Sequence, residues 1–215
     1  ELYELAYRTG ANRRDNSVDI DGGISTLFTF SSKGRRELPN GHVIVDEAQE
    51  LSPMEWRMVF RRSPARWMTL VGDTAQTGSP AGVDTWDATL EPYVGTRFRH
   101  HELTVNYRTP VEIMEVANEV LGVIDPAATP AVAIRESGRD IVWLPAGTTP
   151  ELRDDGLTQV ITAANVSEIK GLEFDHVIVL EPTQIVEASP QGWQDLYVAV
   201  TRATQTLTVV GEWPV

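Results

Sequence analysis

The stretch "HVIVDEAQELSPMEW", residues 42–56, is the part of the sequence that decides the fold. Its first half is a β-branched run that ends in two adjacent carboxylates, Asp46 and Glu47. Its second half carries a helix start, because Ser52 suits the N-cap and Glu55, three residues later, completes a capping box around a proline. The stretch therefore predicts a strand followed by a capped helix, with the two carboxylates between them.

The same alternation of strands and helices continues along the chain. Several of the β-branched runs are apolar throughout, as strands covered on both faces are. The predicted strands are residues 26–30, 42–46, 67–73, 101–107, 140–144, 158–163, 176–182 and 205–211. Two further helix starts resemble the first, with Thr109 and Ser189 as the N-caps and a proline after each. This pattern predicts an α/β fold with a mostly parallel sheet flanked by helices.

A soft domain boundary is predicted near residue 96, where the stretch 92–101 joins one strand–helix series to the next. It divides the chain into residues 1–95 and residues 96–215. A chain of 215 residues is long enough for one large domain or two small ones with a real core.

Composition excludes several classes of protein. The chain has no cysteine, which excludes disulfides, thiol nucleophiles and thiolate metal sites. No apolar run approaches the roughly 20 residues of a membrane helix, and the first residues do not resemble a signal peptide. A cytoplasmic protein that does not bind membranes is the simplest interpretation.

Charge is unevenly distributed along this acidic chain. The net charge of −13 argues against a protein that binds nucleic acid over its whole surface. The stretch "RMVFRRSPAR", residues 57–66, nevertheless carries four arginines. This local basic edge could contact phosphates, or it could be the solvated face of a helix, and the sequence leaves both interpretations open.

Polar side chains follow three of the predicted strands. Asp46 and Glu47 lie at the end of strand 42–46, Asp73 and Gln76 lie at and after the end of strand 67–73, and Arg108 follows strand 101–107. Taken alone, each is compatible with a solvated strand end or turn. Ligands of open α/β sheets bind beyond the carboxyl ends of the strands. A hard oxygen ligand for Mg²⁺, a base, an amide and a cation together predict a nucleoside-triphosphate site.

Five stretches resemble, in order, motifs II to VI of the UvrD/Rep/PcrA group of superfamily 1 helicases. They lie within residues 42–121 and 163–211, and read "VDEAQELSP", "TLVGDTAQ", "LTVNYRTP", "IKGLEFDHVIVLEP" and "LYVAVTRATQTLTVVG". The resemblance implies two RecA-like domains, ATP and Mg²⁺, and a track of single-stranded or partly duplex DNA. The wording "DEAQELSP" is most similar to the HelD-like branch, whose members associate with RNA polymerase.

In the part that resembles motifs II and III, the resemblance assigns four residues. Asp46 is expected to hold Mg²⁺, and Glu47 is expected to orient and deprotonate the attacking water. Gln49 would link the nucleotide state to the following loop. Gln76 would sense the γ-phosphate, since an amide can both donate and accept hydrogen bonds.

In the part that resembles motifs IV to VI, the resemblance assigns five more. Arg108 and Arg202 would reach the γ-phosphate and stabilise the charge of the transferring group. Glu173 would accept a hydrogen bond from the ribose, and Gly171 would let the backbone approach closely. Tyr107 would stack on the adenine, although a core or interface tyrosine is an equal interpretation.

The sequence departs from the pattern of this group in three places. It contains no GxxxxGK[ST] loop, which we expect upstream of residue 1, so that the chain by itself is expected to lack ATPase activity. Ser167 occupies the position where the group often has His, and the spacer 122–158 is short. Three interpretations stay open: part of an ATP-dependent helicase or translocase, part of a HelD-like ATPase that remodels RNA polymerase, or a stable piece with no activity of its own.

Overall fold

The computed structural model describes residues 42–83 and 85–215. The strand predicted at residues 26–30 lies outside the described residues. The predicted α/β class is confirmed, because parallel strands alternate with helices along the described chain. The strands are β1 (Val43–Val45), β2 (Met68–Leu70), β3 (Val105–Asn106), β4 (Val132–Ala133), β5 (Val142–Leu144), β6 (Thr158–Ile161), β7 (Phe174–Leu180) and β8 (Ala203–Val210). The helices are α1 (Pro53–Arg62), α2 (Trp86–Val94), α3 (Val111–Ile124), α4 (Pro182–Ala188) and α5 (Gly192–Thr201).

The strands pair in parallel throughout the described residues. β1 pairs with β2, β3 pairs with β4, and the other four form a sheet in the order β5-β8-β7-β6. The central strands β7 and β8 are the longest. Five of the seven residues of β7 are buried, whereas half of the eight residues of β8 are buried and the other half are partly exposed. The run 177–179 in β7 is apolar and buried, as expected of a central parallel strand that is covered on both faces.

The buried side chains form two clusters. The smaller one joins β1, α1 and α2 and contains Val45, Trp56 and Leu90. The larger one joins α3, α5, β7 and β8, and also takes in Ala75 from the earlier part of the chain. The clusters otherwise fall on either side of residue 96. The domain boundary itself stays a prediction.

The first predicted helix start is confirmed. The Ser52 amide donates to Glu55 Oε2 at 2.7 Å, and the Glu55 amide donates to Ser52 Oγ at 3.5 Å, which is a complete capping box. Leu51 and Trp56, on either side of the cap, are both buried in the smaller cluster. The capping box and these buried side chains therefore fix the residue at which α1 begins and the path of the chain between β1 and α1.

The other two predicted helix starts are wrong by one or two residues. Helix α3 begins at Val111 with Pro110 in the N-cap position, while the Thr109 amide donates to Asn106 Oδ1 instead of entering the helix. Helix α5 begins at Gly192 rather than directly after Ser189.

The cause in both places is a side-chain hydrogen bond that ends the preceding turn and delays the helix. Asn106 plays this part before α3. Before α5, Ser189 Oγ accepts from the Gln191 amide and donates to Asp195.

Several other elements differ from the prediction, and no element is predicted where helix α2 and strand β4 lie. The strand predicted at residues 101–107 shortens to the two residues of β3, because it pairs only with the equally short β4. Residues 182–188 form helix α4, where the sequence pattern indicates only the end of a strand. Among the described residues no helix is long and apolar enough to cross a bilayer.

Candidate active site

The two carboxylates that end β1 lie on the surface, in an unusual backbone. Asp46 and Glu47 are both exposed, and the Glu47 amide donates to Asp46 Oδ1 at 3.0 Å. Glu47 has φ 48°, in the left-handed region that a residue with a Cβ seldom adopts. Such strain persists only where the surroundings enforce it, and it is concentrated at functional sites. The backbone therefore fixes the direction in which the Glu47 side chain leaves the main chain.

The buried side chain of Gln49 forms hydrogen bonds to residues that follow both β1 and β2. Its side chain is 1% exposed. Its Nε2 donates to Glu47 Oε2 at 2.6 Å, and its Oε1 accepts from the Asp73 amide at 3.2 Å. Gly72 permits this approach, because an added Cβ would overlap Gln49 Oε1. The contacts match the linking role expected of Gln49, which itself stays a prediction.

Asp73 in turn orients Gln76. One Asp73 carboxylate oxygen accepts from the Ala75 amide at 2.9 Å, and the other accepts from Gln76 Nε2 at 2.7 Å. With its amino group held, Gln76 presents Oε1 to the second half of the chain, where it accepts from Arg202 Nη2 at 3.0 Å. A continuous chain of hydrogen bonds thus leads from Glu47 to Arg202.

Arg202 is an almost fully buried cation, 4% exposed, at the start of β8. Its guanidinium also donates to Thr201 Oγ1 at 3.2 Å and to the Leu172 carbonyl at 3.5 Å. Burial lowers the pKa of Arg202, and the nearby Arg108 lowers it further, while Glu47 and Glu173 partly oppose both. A guanidinium keeps its proton even so, so the site contains a fixed positive charge.

Arg108 lies nearer the solvent and pairs with Glu173. Arg108 Nη1 and Glu173 Oε1 are 2.5 Å apart, and the two side chains are 39% and 48% exposed. Asn106 fixes the turn that carries Arg108, because Asn106 Oδ1 accepts from the Arg108 amide at 2.9 Å and from the Thr109 amide at 3.0 Å. The two predicted arginines therefore lie near one another, one buried and one exposed.

A second contact links the same two parts of the chain. Lys170 Nζ lies 3.3 Å from Glu50 Oε1, and the same oxygen accepts from the Gly78 amide at 2.8 Å. Gly171, directly after Lys170, has φ +74° and open space where a Cβ would be. Glycine suits this position because of its backbone conformation.

Tyr107 is 62% exposed, so it does not belong to either buried cluster. Its ring is accessible at the carboxyl end of β3, beside Arg108. Stacking on an adenine is compatible with this position and stays a prediction.

Three residues of the site receive no role from the resemblance to the helicase motifs. Asp73 is the one with a clear signal, since the sequence already places its carboxylate at a predicted strand end. Glu50 and Lys170 pair across 120 positions. Nothing in the local sequence indicates that their side chains meet.

The chemistry of the site fits a magnesium ion that is bound together with phosphate. Among residues 42–83 and 85–215, no group of three or more acidic, histidine or cysteine side chains could hold a metal unaided. Mg²⁺ is commonly held by one or two carboxylates, waters and substrate phosphates rather than by a protein cage. Asp46 is exposed, and its Oδ2 makes no hydrogen bond with the described residues. It could therefore contribute one such ligand.

Comparison with known proteins identifies the family. Residues 21–211 match the family described as the viral superfamily 1 RNA helicase core domain. No curated protein matches the chain at a significant level. Among solved structures, the chain is similar to the arterivirus nonstructural protein 10 helicase in complex with DNA, with a TM-score of 0.53 and 22% identity over 80% of this chain.

The aligned part covers 40% of the arterivirus chain, and at this identity the likeness concerns the fold alone. The match to the family model extends over most of the sequence and contains every residue of the site described above. The chain belongs to the viral superfamily 1 RNA helicase core family.

Proposed function

We propose that this chain is part of an ATP-dependent superfamily 1 helicase or translocase, and that ATP binds where the two halves of the chain meet. The observation that carries the proposal is the hydrogen bond from Arg202 to Gln76, whose positions are 126 residues apart. It joins a buried cation to a network that ends at Glu47. These are the groups that phosphoryl transfer requires: a base, a polar sensor and a positive charge.

In the proposed reaction, Glu47 accepts a proton from the water that attacks the γ-phosphate. Its carboxylate is oriented by the hydrogen bond from Gln49. Gln76 Nε2 donates one hydrogen to Asp73 and has a second to donate to a γ-phosphate oxygen, while its Oε1 accepts from Arg202. Arg108 and Arg202 stabilise the negative charge that develops on the phosphoryl oxygens.

Asp46 would hold Mg²⁺ in this site. When bound, the ion neutralises the charge of the β- and γ-phosphates. Glu173 and Tyr107 are proposed to bind the ribose and the base. Because Glu173 pairs with Arg108, nucleotide binding would require its carboxylate to exchange that partner or to share it.

ATP hydrolysis is proposed to drive movement through the contacts between the two halves of the chain. Gln76 and Arg202 belong to different halves of the chain, so a phosphate between them would change the distance across the boundary when it is cleaved. The track is proposed to be single-stranded or partly duplex nucleic acid. The arterivirus helicase is described with DNA, and the order of the five motifs supports a UvrD-like translocase.

A second candidate function is a HelD-like ATPase that binds and remodels RNA polymerase. The observation in its favour is the net charge of −13, which suits a protein partner with basic channels. Co-purification with RNA polymerase at moderate salt tests it. Strong strand unwinding without co-purification would leave the helicase as the function.

The experiment that tests the main proposal is a Glu47→Gln substitution in the full-length protein. The amide keeps the size of the side chain but cannot accept the proton, so kcat for ATP hydrolysis should fall about 10²- to 10⁴-fold. Binding of an ATP analogue with Mg²⁺ should change little. Glu91→Gln, on the exposed surface of α2, is the matched control and should hydrolyse ATP normally.

A Glu47→Gln variant that retains near wild-type turnover would refute the assignment of the base. Wild-type protein that shows neither ATP turnover nor analogue binding would refute the proposed function as a whole.

A further inference from the structure

Arg135 lies outside all five motifs and connects the two segments that carry the site arginines. It follows β4, and its side chain is exposed. Its Nη2 donates both to the Arg108 carbonyl and to the Thr204 carbonyl. Thr204 lies two residues after Arg202, at the start of β8. One nitrogen therefore bridges the backbone of the two arginine-bearing segments.

The backbone of Arg135 is itself anchored to the start of α3. The Val111 amide donates to the Arg135 carbonyl at 2.8 Å. The Glu112 carboxylate accepts from the Ser137 amide at 3.1 Å and from the Gly138 amide at 2.8 Å. Burial raises the pKa of Glu112, but these backbone hydrogen bonds outweigh it and leave the pKa below its usual value. The anchor is thus an ionised carboxylate at neutral pH.

The segments that Arg135 joins are otherwise held by different neighbours. The Arg108 turn is fixed by Asn106, whose Oδ1 accepts from the Arg108 amide. The start of β8 is fixed by β7, where Thr204 Oγ1 donates to the Phe174 carbonyl at 3.2 Å. Among the described residues, the Arg135 guanidinium is the group that hydrogen-bonds to both segments at once.

We propose that Arg135 is a positioning residue for ATP hydrolysis, which sets the distance between Arg108 and Arg202. This inference rests on the proposed function, and Arg135 does not itself touch the nucleotide. Both arginines must meet the same phosphoryl group, and a misplacement of about 1 Å can cost about 10²-fold in rate. The effect belongs to the transition state, so it should lower kcat and leave KM nearly unchanged.

Three variants of the full-length protein test the role. Arg135→Met removes the donor and keeps an unbranched apolar stem, so kcat should fall about 10- to 100-fold. Arg135→Lys should recover most of that loss, because a single nitrogen serves both carbonyls and an ammonium has three donors. Arg139→Met is the control, since the Arg139 side chain makes no hydrogen bond or ion pair with the described residues. Thermal unfolding should be similar in all three.

Hydrogen exchange provides a readout that does not depend on turnover. Peptides covering residues 104–112 and 200–208 should exchange faster in Arg135→Met than in Arg139→Met, since the bridge between them is lost. Unchanged exchange in either peptide, or a kcat within about twofold of the control, would overturn the positioning role. A loss of kcat in Arg135→Met that is accompanied by a lower Tm, and that Arg135→Lys does not recover, would also overturn the positioning role.

The failure of the proposed function would be distinguishable from these outcomes. If wild-type protein hydrolyses no ATP, the positioning role falls together with the proposed function. The exchange comparison still decides whether Arg135 ties the two segments together.

Discussion

The two regions that meet at the candidate site differ in the strand ends that carry their site residues. In the first region, residues 42–98, the site residues Asp46, Glu47 and Asp73 follow β1 and β2, at the carboxyl ends of parallel strands. In the second region, residues 105–210, Arg108 follows β3 at its carboxyl end, but Glu173 and Arg202 precede β7 and β8, at the amino ends. The expectation that ligands bind at carboxyl ends therefore describes the first region and Arg108, but not Glu173 and Arg202.

The regions also differ in how they expose their charges. The carboxylates of Asp46 and Glu47 lie on the surface, whereas Arg202 is 4% exposed and held by several acceptors. A charge in a buried position interacts more strongly with a bound group than one in water does. The first region is thus suited to a metal ion and water, and the second to a fixed positive charge.

The largest expected effect tests whether the buried Arg202 contributes more to kcat than the exposed Arg108 does. Arg202→Gln should lower kcat by about 10³-fold or more, and Arg108→Gln should lower it less because its charge is partly screened by solvent. Steady-state ATPase kinetics on the full-length protein measure both. Arg153→Gln, an exposed arginine paired with Asp155, is the control. Equal losses for Arg108 and Arg202 would remove the distinction between them.

The next effect compares the two cores. Leu207→Ala in β8, where the side chain is 0% exposed, should cost about 2–5 kcal/mol of unfolding free energy. Leu90→Ala in α2 should cost less, because that side chain is 5% exposed and lies in the smaller cluster. Denaturant unfolding measures both values. A larger loss for Leu90 would show that the smaller cluster is the more tightly packed.

A smaller effect concerns the two predicted helix caps. Ser52→Ala removes the capping box of α1 and should cost about 1 kcal/mol. Thr109→Val should be close to neutral, because the Thr109 hydroxyl is buried and makes no hydrogen bond with the described residues. Thermal unfolding compares the two, and a clear loss for Thr109→Val would indicate that its hydroxyl has a partner.

The smallest effect concerns the ion pair between the regions. Lys170 and Glu50 are 28% and 31% exposed, so their coupling should be below about 1 kcal/mol and should weaken in salt. A double-mutant cycle of Lys170→Met and Glu50→Gln measures the coupling. The side-chain amide in Glu50→Gln can still accept a hydrogen bond from the Gly78 amide, so the substitution removes only the charge. A coupling well above this value would mean that the pair, rather than Gln76 and Arg202, dominates the contact.

Much of the fold follows from local patterns. The parallel α/β class is confirmed, and so is the helix start at Ser52, because hydrophobic periodicity and capping act over a few residues. The errors at Thr109 and Ser189 arise where a side chain competes for the backbone amides, which the capping pattern does not reveal.

The candidate site shows the same division between what local sequence patterns predict and what they do not. The sequence by itself predicted the residues proposed to carry the chemistry, since Asp46, Glu47, Gln76, Arg108 and Arg202 all lie in motifs or at strand ends. Only the tertiary structure decided that Gln76 meets Arg202, that Arg202 is buried while Arg108 is exposed, and that Arg135 bridges their segments. Local sequence sets the type and direction of a side chain. Contacts between positions a hundred residues apart depend on how whole sheets pack, and no local pattern encodes them.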